Sequence, residues 1–118
     1  MSSLQRLWIT LFLLLLKYNT VYASFGISVA SLEEPIGHKF AVSWTATAAD
    51  PQNVDICVST DTEFLPIGSI QRNDQLAGSV NVVIDDSISP STYLLGIRFT
   101  GCSFLLASVF DDFVVTSP

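Results

Sequence analysis

The stretch Phe40-Ala41-Val42-Ser43-Trp44-Thr45 decides the fold of this 118-residue chain. Bulky apolar residues occupy every second position, and small or hydroxyl-bearing residues stand between them. Successive side chains of a β-strand point to opposite faces, so this pattern is typical of a strand with one face in a core and the other in solvent. We therefore expect a half-buried strand with Phe40, Val42 and Trp44 on its inward face.

The same two-residue alternation recurs from Phe25 to Thr116, and turn-forming residues separate the segments that carry it. No segment after residue 23 shows a convincing helical period. About seven short strands in about 95 residues are typical of an all-β, immunoglobulin-like or fibronectin-III-like sandwich. We expect strands at 25–30, 40–45, 54–59, 64–70, 78–84, 93–99 and 105–116, a turn at 33–37, and an edge position for the strand that contains Pro66.

The inward faces of these strands predict the core of the sandwich. Two such faces interdigitate in a layer about 10 Å thick. Trp44 could instead be a platform for stacking a sugar, but its alternation with Phe40 and Val42 favours burial. The other aromatic residues that could form an exposed platform for a sugar are Phe64, Tyr93, Phe104 and Phe110. The predicted core consists of Phe40, Val42, Trp44, Ile56, Val58, Val82, Leu95 and Ile97.

The N-terminal segment has the features of a secretory signal peptide. Residues 7–16 form a nearly unbroken apolar run, which is too short for a membrane span of about 20 residues. Arg6 precedes the run, and Val21-Tyr22-Ala23 provides the small or β-branched residues of a cleavage site. We expect residues 1–23 to form a cleaved signal peptide helix and residues 24–118 to form one Ig-like domain. An uncleaved anchor is the alternative, because Lys17 follows the run directly.

Charge disfavours several classes of partner. The whole chain has a formal net charge of −6, and loss of residues 1–23 removes Arg6 and Lys17. Three basic residues then oppose eleven acidic residues, so the mature domain carries −8. Nucleic acids and anionic membranes bind basic patches, and we expect neither as a partner. We also expect no glycolipid anchor, because residues 116–118 carry no apolar tail.

Cys57 and Cys102 are the only cysteines in the chain. An even pair in an exported protein is typical of a disulfide. In a sandwich, the sixth predicted strand pairs antiparallel with the third, which brings Cys102 near Cys57. Cys57 alternates with Ile56 and Val58, so the bridge would lie on the outer face of one sheet. Two free thiols are the alternative.

No pattern in the sequence predicts catalysis, a bound metal or a cofactor. His38 is the only histidine and lies in a turn, which makes it a poor base for a thiol enzyme and a poor zinc ligand. The acidic pairs at 33–34, 85–86 and 111–112 consist of neighbours, whose side chains diverge on a strand instead of facing each other across a groove. We interpret them as charges at strand ends and edges that block aggregation, with calcium binding as the less favoured alternative. The outward faces are expected to carry Ser43, Thr45, Ser59 and Ser79.

Five segments resemble, in order, the fungal Kre9/Knh1-type cell-wall domain, also called the Ser-Thr-rich glycosyl-phosphatidyl-inositol-anchored membrane family domain. The first is similar to its P-x-G turn followed by an alternating strand that ends on Trp, and the last to its closing strand. The segments are 34–45, 54–58, 78–82, 89–97 and 107–115. The resemblance implies an extracellular Ig-like module linked to β-glucan assembly, with no catalytic residue. The family's Ser/Thr-rich stalk is missing here, so we expect a freely secreted form.

Two classes of function remain open, because Ig-like scaffolds host many activities. The first is a non-catalytic module that binds or organises cell-wall polysaccharide. The second is a small secreted factor that binds another protein through loops of the sandwich, as an inhibitor or a host-interaction protein. Both predict a protein that is secreted, with or without retention in the cell wall, and that acts without a cofactor.

Export with removal of residues 1–23 is the first testable consequence. Mass spectrometry of the secreted protein should show Ser24 as its N-terminal residue, because signal peptidase cuts after the small residue at position 23. A full-length product retained in the membrane would contradict this prediction.

Overall fold

A computed structural model describes residues 25–118, apart from the side chains of residues 107–109. The predicted signal peptide lies outside the described residues. Eight strands and no helix occur between residues 25 and 118. In chain order they are β1 (Gly26–Val29), β2 (Glu33–Pro35), β3 (Lys39–Thr45), β4 (Asn53–Ser59), β5 (Phe64–Gln71), β6 (Ala77–Val83), β7 (Ser91–Arg98) and β8 (Leu105–Thr116).

The strands form two sheets, which pack face to face and confirm the predicted all-β sandwich. The first sheet has the order β1-β3-β6 and the second has the order β2-β8-β7-β4-β5. Neighbouring strands run antiparallel, except that β2 runs parallel to β8. β5 is an edge strand, as Pro66 predicts, and its register with β4 shifts beside that proline.

The structure has one strand more than the sequence predicts. Glu33–Pro35 was expected to belong to a turn, but it forms β2 and pairs with Val114–Thr116 of β8. The turn follows at Gly37, which has a φ of 85°. Alternation cannot reveal a three-residue strand, and this one forms because the end of β8 offers backbone groups that need partners.

The core fills the space between the two sheets. All eight residues predicted for it are buried, and none exposes more than 8% of its surface. Phe40 of β3 and Phe113 of β8 connect the sheets through rings whose centroids lie 6.0 Å apart, within the range of favourable aromatic pairs. Further buried members are Phe25, Ile27, Val54, Ile70, Ile84, Ile88, Tyr93, Phe113 and Val115.

Trp44 is a core residue that requires a glycine beside it. Its side chain is 5% exposed, and its ring lies over Gly78, the residue opposite it on β6. A Cβ placed on Gly78 would come within 2.8 Å of Trp44 Cζ2, which is closer than real Cβ atoms approach other atoms. The ring of Phe25 packs against Trp44 from β1's side, with centroids 6.1 Å apart.

Tyr93 forms a contact that is characteristic of Ig-like sandwiches. Its hydroxyl donates a hydrogen bond of 2.6 Å to the carbonyl oxygen of Ser89, four residues upstream at the approach to β7. This is the arrangement of a tyrosine corner. Burial raises the pKa of Tyr93, and the carboxylate of Glu63 raises it further, because both disfavour the charged phenolate.

Replacing Trp44 by alanine should nearly unfold the domain. Truncating a buried tryptophan costs about 3–5 kcal/mol, a large part of the roughly 5–15 kcal/mol that stabilises a typical domain. Chemical denaturation followed by circular dichroism measures the change. Thr45→Ala is the matched control, because Thr45 is an exposed neighbour on the same strand and should change stability by less than about 0.5 kcal/mol. An unchanged midpoint for Trp44→Ala would contradict its place in the core.

Candidate functional site

The turn between β7 and β8 is fixed to the outer face of the five-stranded sheet by a disulfide. Cys57 of β4 and Cys102 of the turn are bonded, with 6.1 Å between their Cα atoms, which confirms the predicted bridge. Gly96 lies opposite Cys57 on β7, so no side chain occupies the space that the bridge needs. Both cysteines are buried but lie outside the core cluster, as expected for a bridge on the outer face.

Hydrogen bonds hold the same turn in one shape. The backbone N–H of Gly101 donates to Asp55 Oδ2 of β4 at 2.7 Å, and Arg98 Nη1 donates to the carbonyl oxygen of Ser103 at 2.9 Å. Gly101 and Cys102 have φ values of 80° and 55°, a left-handed backbone that folds the turn back towards β4. The turn is therefore ordered by contacts at both of its sides.

Three large apolar side chains at or near this turn are exposed. Phe104 is 79% exposed, Phe64 is 48% exposed and Leu105 is 46% exposed. The guanidinium carbon of Arg98 lies 4.6 Å above the centroid of the Phe64 ring, a cation–π contact. Arg98 and Leu105 are opposite each other on β7 and β8, so they share the outer face. We call Phe64, Arg98, Phe104 and Leu105 the hairpin patch.

The structure shows which of the four other aromatic residues that could form a sugar platform are exposed. Phe64 and Phe104 are exposed, whereas Tyr93 is buried and Phe110 is partly buried against the core. The alternation along β7 predicts that Tyr93 faces inward with Leu95 and Ile97. It makes no prediction about the exposure of Phe104, which lies in a turn. Phe104 could not be distinguished from a core residue by its type alone.

The acidic pairs are dispersed over the molecule. Asp111 and Asp112 lie at a bulge in β8, in the part of that strand that β2 does not cover. Asp85 follows β6 and accepts a 2.7 Å hydrogen bond from the backbone N–H of Ser87, which lowers its pKa. Glu33 is exposed and Glu34 is buried on β2. Within residues 25–118, no three His, Cys, Asp or Glu side chains are grouped closely enough to hold a metal ion.

The remaining polar candidates form no reactive constellation. His38 Nε2 lies 3.8 Å from Glu34 Oε2, and the His38 side chain is 61% exposed. Ser43, Thr45 and Ser79 are exposed, as expected. Ser59 lies on the outer face as expected, but it is only 2% exposed and does not form open surface. Ser59 lies between Phe64 and Leu94 on the outer face, and these larger neighbours cover it.

One buried charged residue was not singled out by the sequence. Arg72 is 1% exposed and donates from Nη1 to the carbonyl oxygen of Asp50 at 2.6 Å and from Nε to that of Gln75 at 3.0 Å. It connects the β3–β4 loop to the β5–β6 loop. The carbonyl of Gln75 is local, but that of Asp50 is 22 residues away in the sequence, so no local motif could have indicated this contact. We interpret Arg72 as a structural residue.

No protein-family model, curated protein or solved structure matches this chain. Residues 25–118 include no helix long and apolar enough to cross a membrane. A shallow depression of about 170 Å³ lies between β1 and β3, lined by residues 26–28 and 43–45, and it contains no ionisable side chain. The hairpin patch is therefore the feature on which a functional proposal rests.

Removing the disulfide should destabilise the domain by about 3–4 kcal/mol, because the bridge closes a loop with a sequence separation of 45 residues in the unfolded chain. The variant is Cys57→Ala with Cys102→Ala, measured by chemical denaturation. A reducing agent is the control, since it should destabilise the wild-type protein by a similar amount and leave the double variant unchanged. Equal stability of both proteins would contradict a formed bridge.

Proposed function

We propose that the mature domain is a secreted, non-catalytic binding module and that the hairpin patch is its contact site. One observation carries the proposal: Phe104, 79% exposed, stands on a turn that a disulfide and two hydrogen bonds hold in place. Exposing a phenylalanine to water is unfavourable, and a braced turn presents it at low entropic cost to a partner.

A protein partner suits this patch best. Aromatic residues and arginine are enriched among the residues that dominate binding energy at protein interfaces, and the patch contains two phenylalanines and Arg98. Phe104 would enter an apolar pocket of the partner, and Leu105 and the exposed part of Phe64 would add further apolar contacts. This favours the second of the two function classes, a secreted protein-binding factor.

Cell-wall polysaccharide is the second candidate ligand, and the ring of Phe64 supports it. That ring lies on the outer face of a sheet, where a sugar could stack, and Arg98 lies over it at 4.6 Å. Glucans are neutral, so the net charge of the acidic domain does not oppose their binding. The five segments that resemble the Kre9/Knh1-type domain support the same ligand, with β-glucan organisation as the role.

Secretion is part of the proposal because a disulfide persists in oxidising compartments. Cys57 and Cys102 form such a bond, and they are the only cysteines in the chain. The predicted signal peptide agrees with this compartment.

Binding assays on the mature domain should separate the two ligand classes. We expect Phe104→Ala to weaken binding to a protein captured from culture fluid at least tenfold, the loss of about 1.4 kcal/mol that marks an important interface residue. Leu76→Ala is the matched control, because Leu76 is 53% exposed and lies outside the patch. Melting temperatures should stay unchanged for both variants.

The test for polysaccharide binding uses β-1,3-glucan, β-1,6-glucan and chitin as immobilised ligands. Retention on a glucan that is lost in Phe64→Ala and kept in Leu76→Ala would assign the patch to polysaccharide. Equal binding by all variants would place the contact site elsewhere. Time-dependent release of reducing sugar or peptide by the purified domain would contradict the non-catalytic proposal.

A further inference from the structure

The edges of the two sheets differ in how they are protected. A strand at a sheet edge exposes unpaired N–H and C=O groups, which pair with another strand unless shortness, charge, proline or a bulge prevents it. Within residues 25–118, the edges are β1 and β6 in one sheet, and β5, β2 and the part of β8 beyond β2 in the other.

Four of these edges carry such protection. β1 has four residues, and β2 has three residues that include Glu33 and Pro35. β5 contains Pro66, where its register with β4 shifts. The uncovered part of β8 has repeated register shifts against β7 and carries Asp111 and Asp112. Each feature prevents a regular ladder with another chain.

β6 is the edge that lacks every one of these features. Its seven residues pair with β3 in unbroken register, from Ala77 opposite Thr45 to Val83 opposite Lys39. The stretch from Leu76 to Ile84 contains neither a charged residue nor a proline, in a domain of net charge −8. Val83 is 45% exposed on this strand. β5 packs across the inner face of β6, where Gly68 approaches Val82, and does not pair with its open edge.

We propose that β6 pairs antiparallel with β6 of a second copy of this chain, about a two-fold axis at Val80. Antiparallel pairing of a strand with itself generates a closed, self-complementary dimer. With Val80 at the centre, Ala77 lies opposite Val83, Gly78 opposite Val82, and Ser79 opposite Asn81, so a small residue meets a large one at two of these positions.

A second copy fits this edge because the nine residues from Leu76 to Ile84, which would face each other in this register, carry no charge. Two domains of charge −8 repel each other, but the paired strands are uncharged, and Asp85 and the facing Asp74 and Asp86 of the two copies lie beyond the strand ends. The half-buried Val80 residues meet at the axis and cover one another. The result is one continuous six-stranded sheet, formed from the three-stranded sheet of each copy.

The dimer is expected to be weak. A single pair of seven-residue strands buries less than the roughly 1,200 Å² of a standard stable interface. Dissociation constants in the micromolar range or above are typical of such contacts. The relevant measurement is sedimentation velocity of the mature wild-type domain over a wide range of protein concentrations, where we expect a monomer–dimer equilibrium.

Charge substitutions on the outer face of β6 test the pairing. Ser79→Lys with Asn81→Lys should weaken the dimer at least tenfold, because the register places each new lysine opposite a lysine of the other copy. Ser79→Glu with Asn81→Glu should do the same. An equimolar mixture of the two double variants should restore dimers, since opposite charges then face each other.

The matched control is Ala41→Lys with Ser43→Lys. Ala41 and Ser43 are exposed residues of the central strand β3, where they lie opposite Asn81 and Ser79 of β6. This variant therefore adds the same charge to the same face of the sheet without changing the edge strand. It should dimerise like the wild type, and all variants should keep their melting temperatures within a few degrees. A monomeric wild type at every concentration, open-ended assembly, an equal effect of the control, or no restoration in the mixture would overturn the proposal.

Discussion

The burial of one face of β3 is the constraint on which the rest of the sandwich depends. Phe40, Val42 and Trp44 all point inward from the central strand of the three-stranded sheet. Phe40 reaches Phe113 of the opposite sheet, and Trp44 rests on Gly78 of the neighbouring strand. Because a one-residue slip would turn all three side chains towards solvent, this face sets the register of β3 with both of its neighbours.

The outer face of the other sheet is organised by different forces. There, polar and covalent contacts replace apolar burial: the Cys57–Cys102 bridge, the hydrogen bond from Gly101 to Asp55, and Arg98 over Phe64. These contacts leave Phe104 exposed beside an ordered turn. The fold therefore separates a core that provides stability from a hairpin patch that is free to make contacts, a division typical of scaffolds that bind through loops.

Some of the acidic residues protect a sheet edge from pairing with another chain. Asp111 and Asp112 protect the uncovered part of β8, and Pro66 protects β5. β6 has the length and regular register for pairing but no such protection. The open edge of β6 and the hairpin patch depend on different residues, so either can be altered without removing the other.

Much of the fold was determined locally and could be read from the sequence. Alternation identified seven of the eight strands and the eight predicted core residues, because a strand with one buried face imposes a period of two on its own residues. Pro66 indicated an edge because proline cannot donate to a ladder. The cysteine pair predicted the bridge because its partner strands are neighbours in this topology.

Other features were decided only by the tertiary structure, because their partners are distant in the chain. The strand β2 exists through its contact with β8, and Arg72 is buried because carbonyls of the β3–β4 loop accept its hydrogen bonds. Ser59 is covered by cross-strand neighbours. The exposure of Phe104 depends on how the bridged turn folds over β4. Residue type and spacing carry no record of such contacts, since each depends on the packing of segments that the sequence separates.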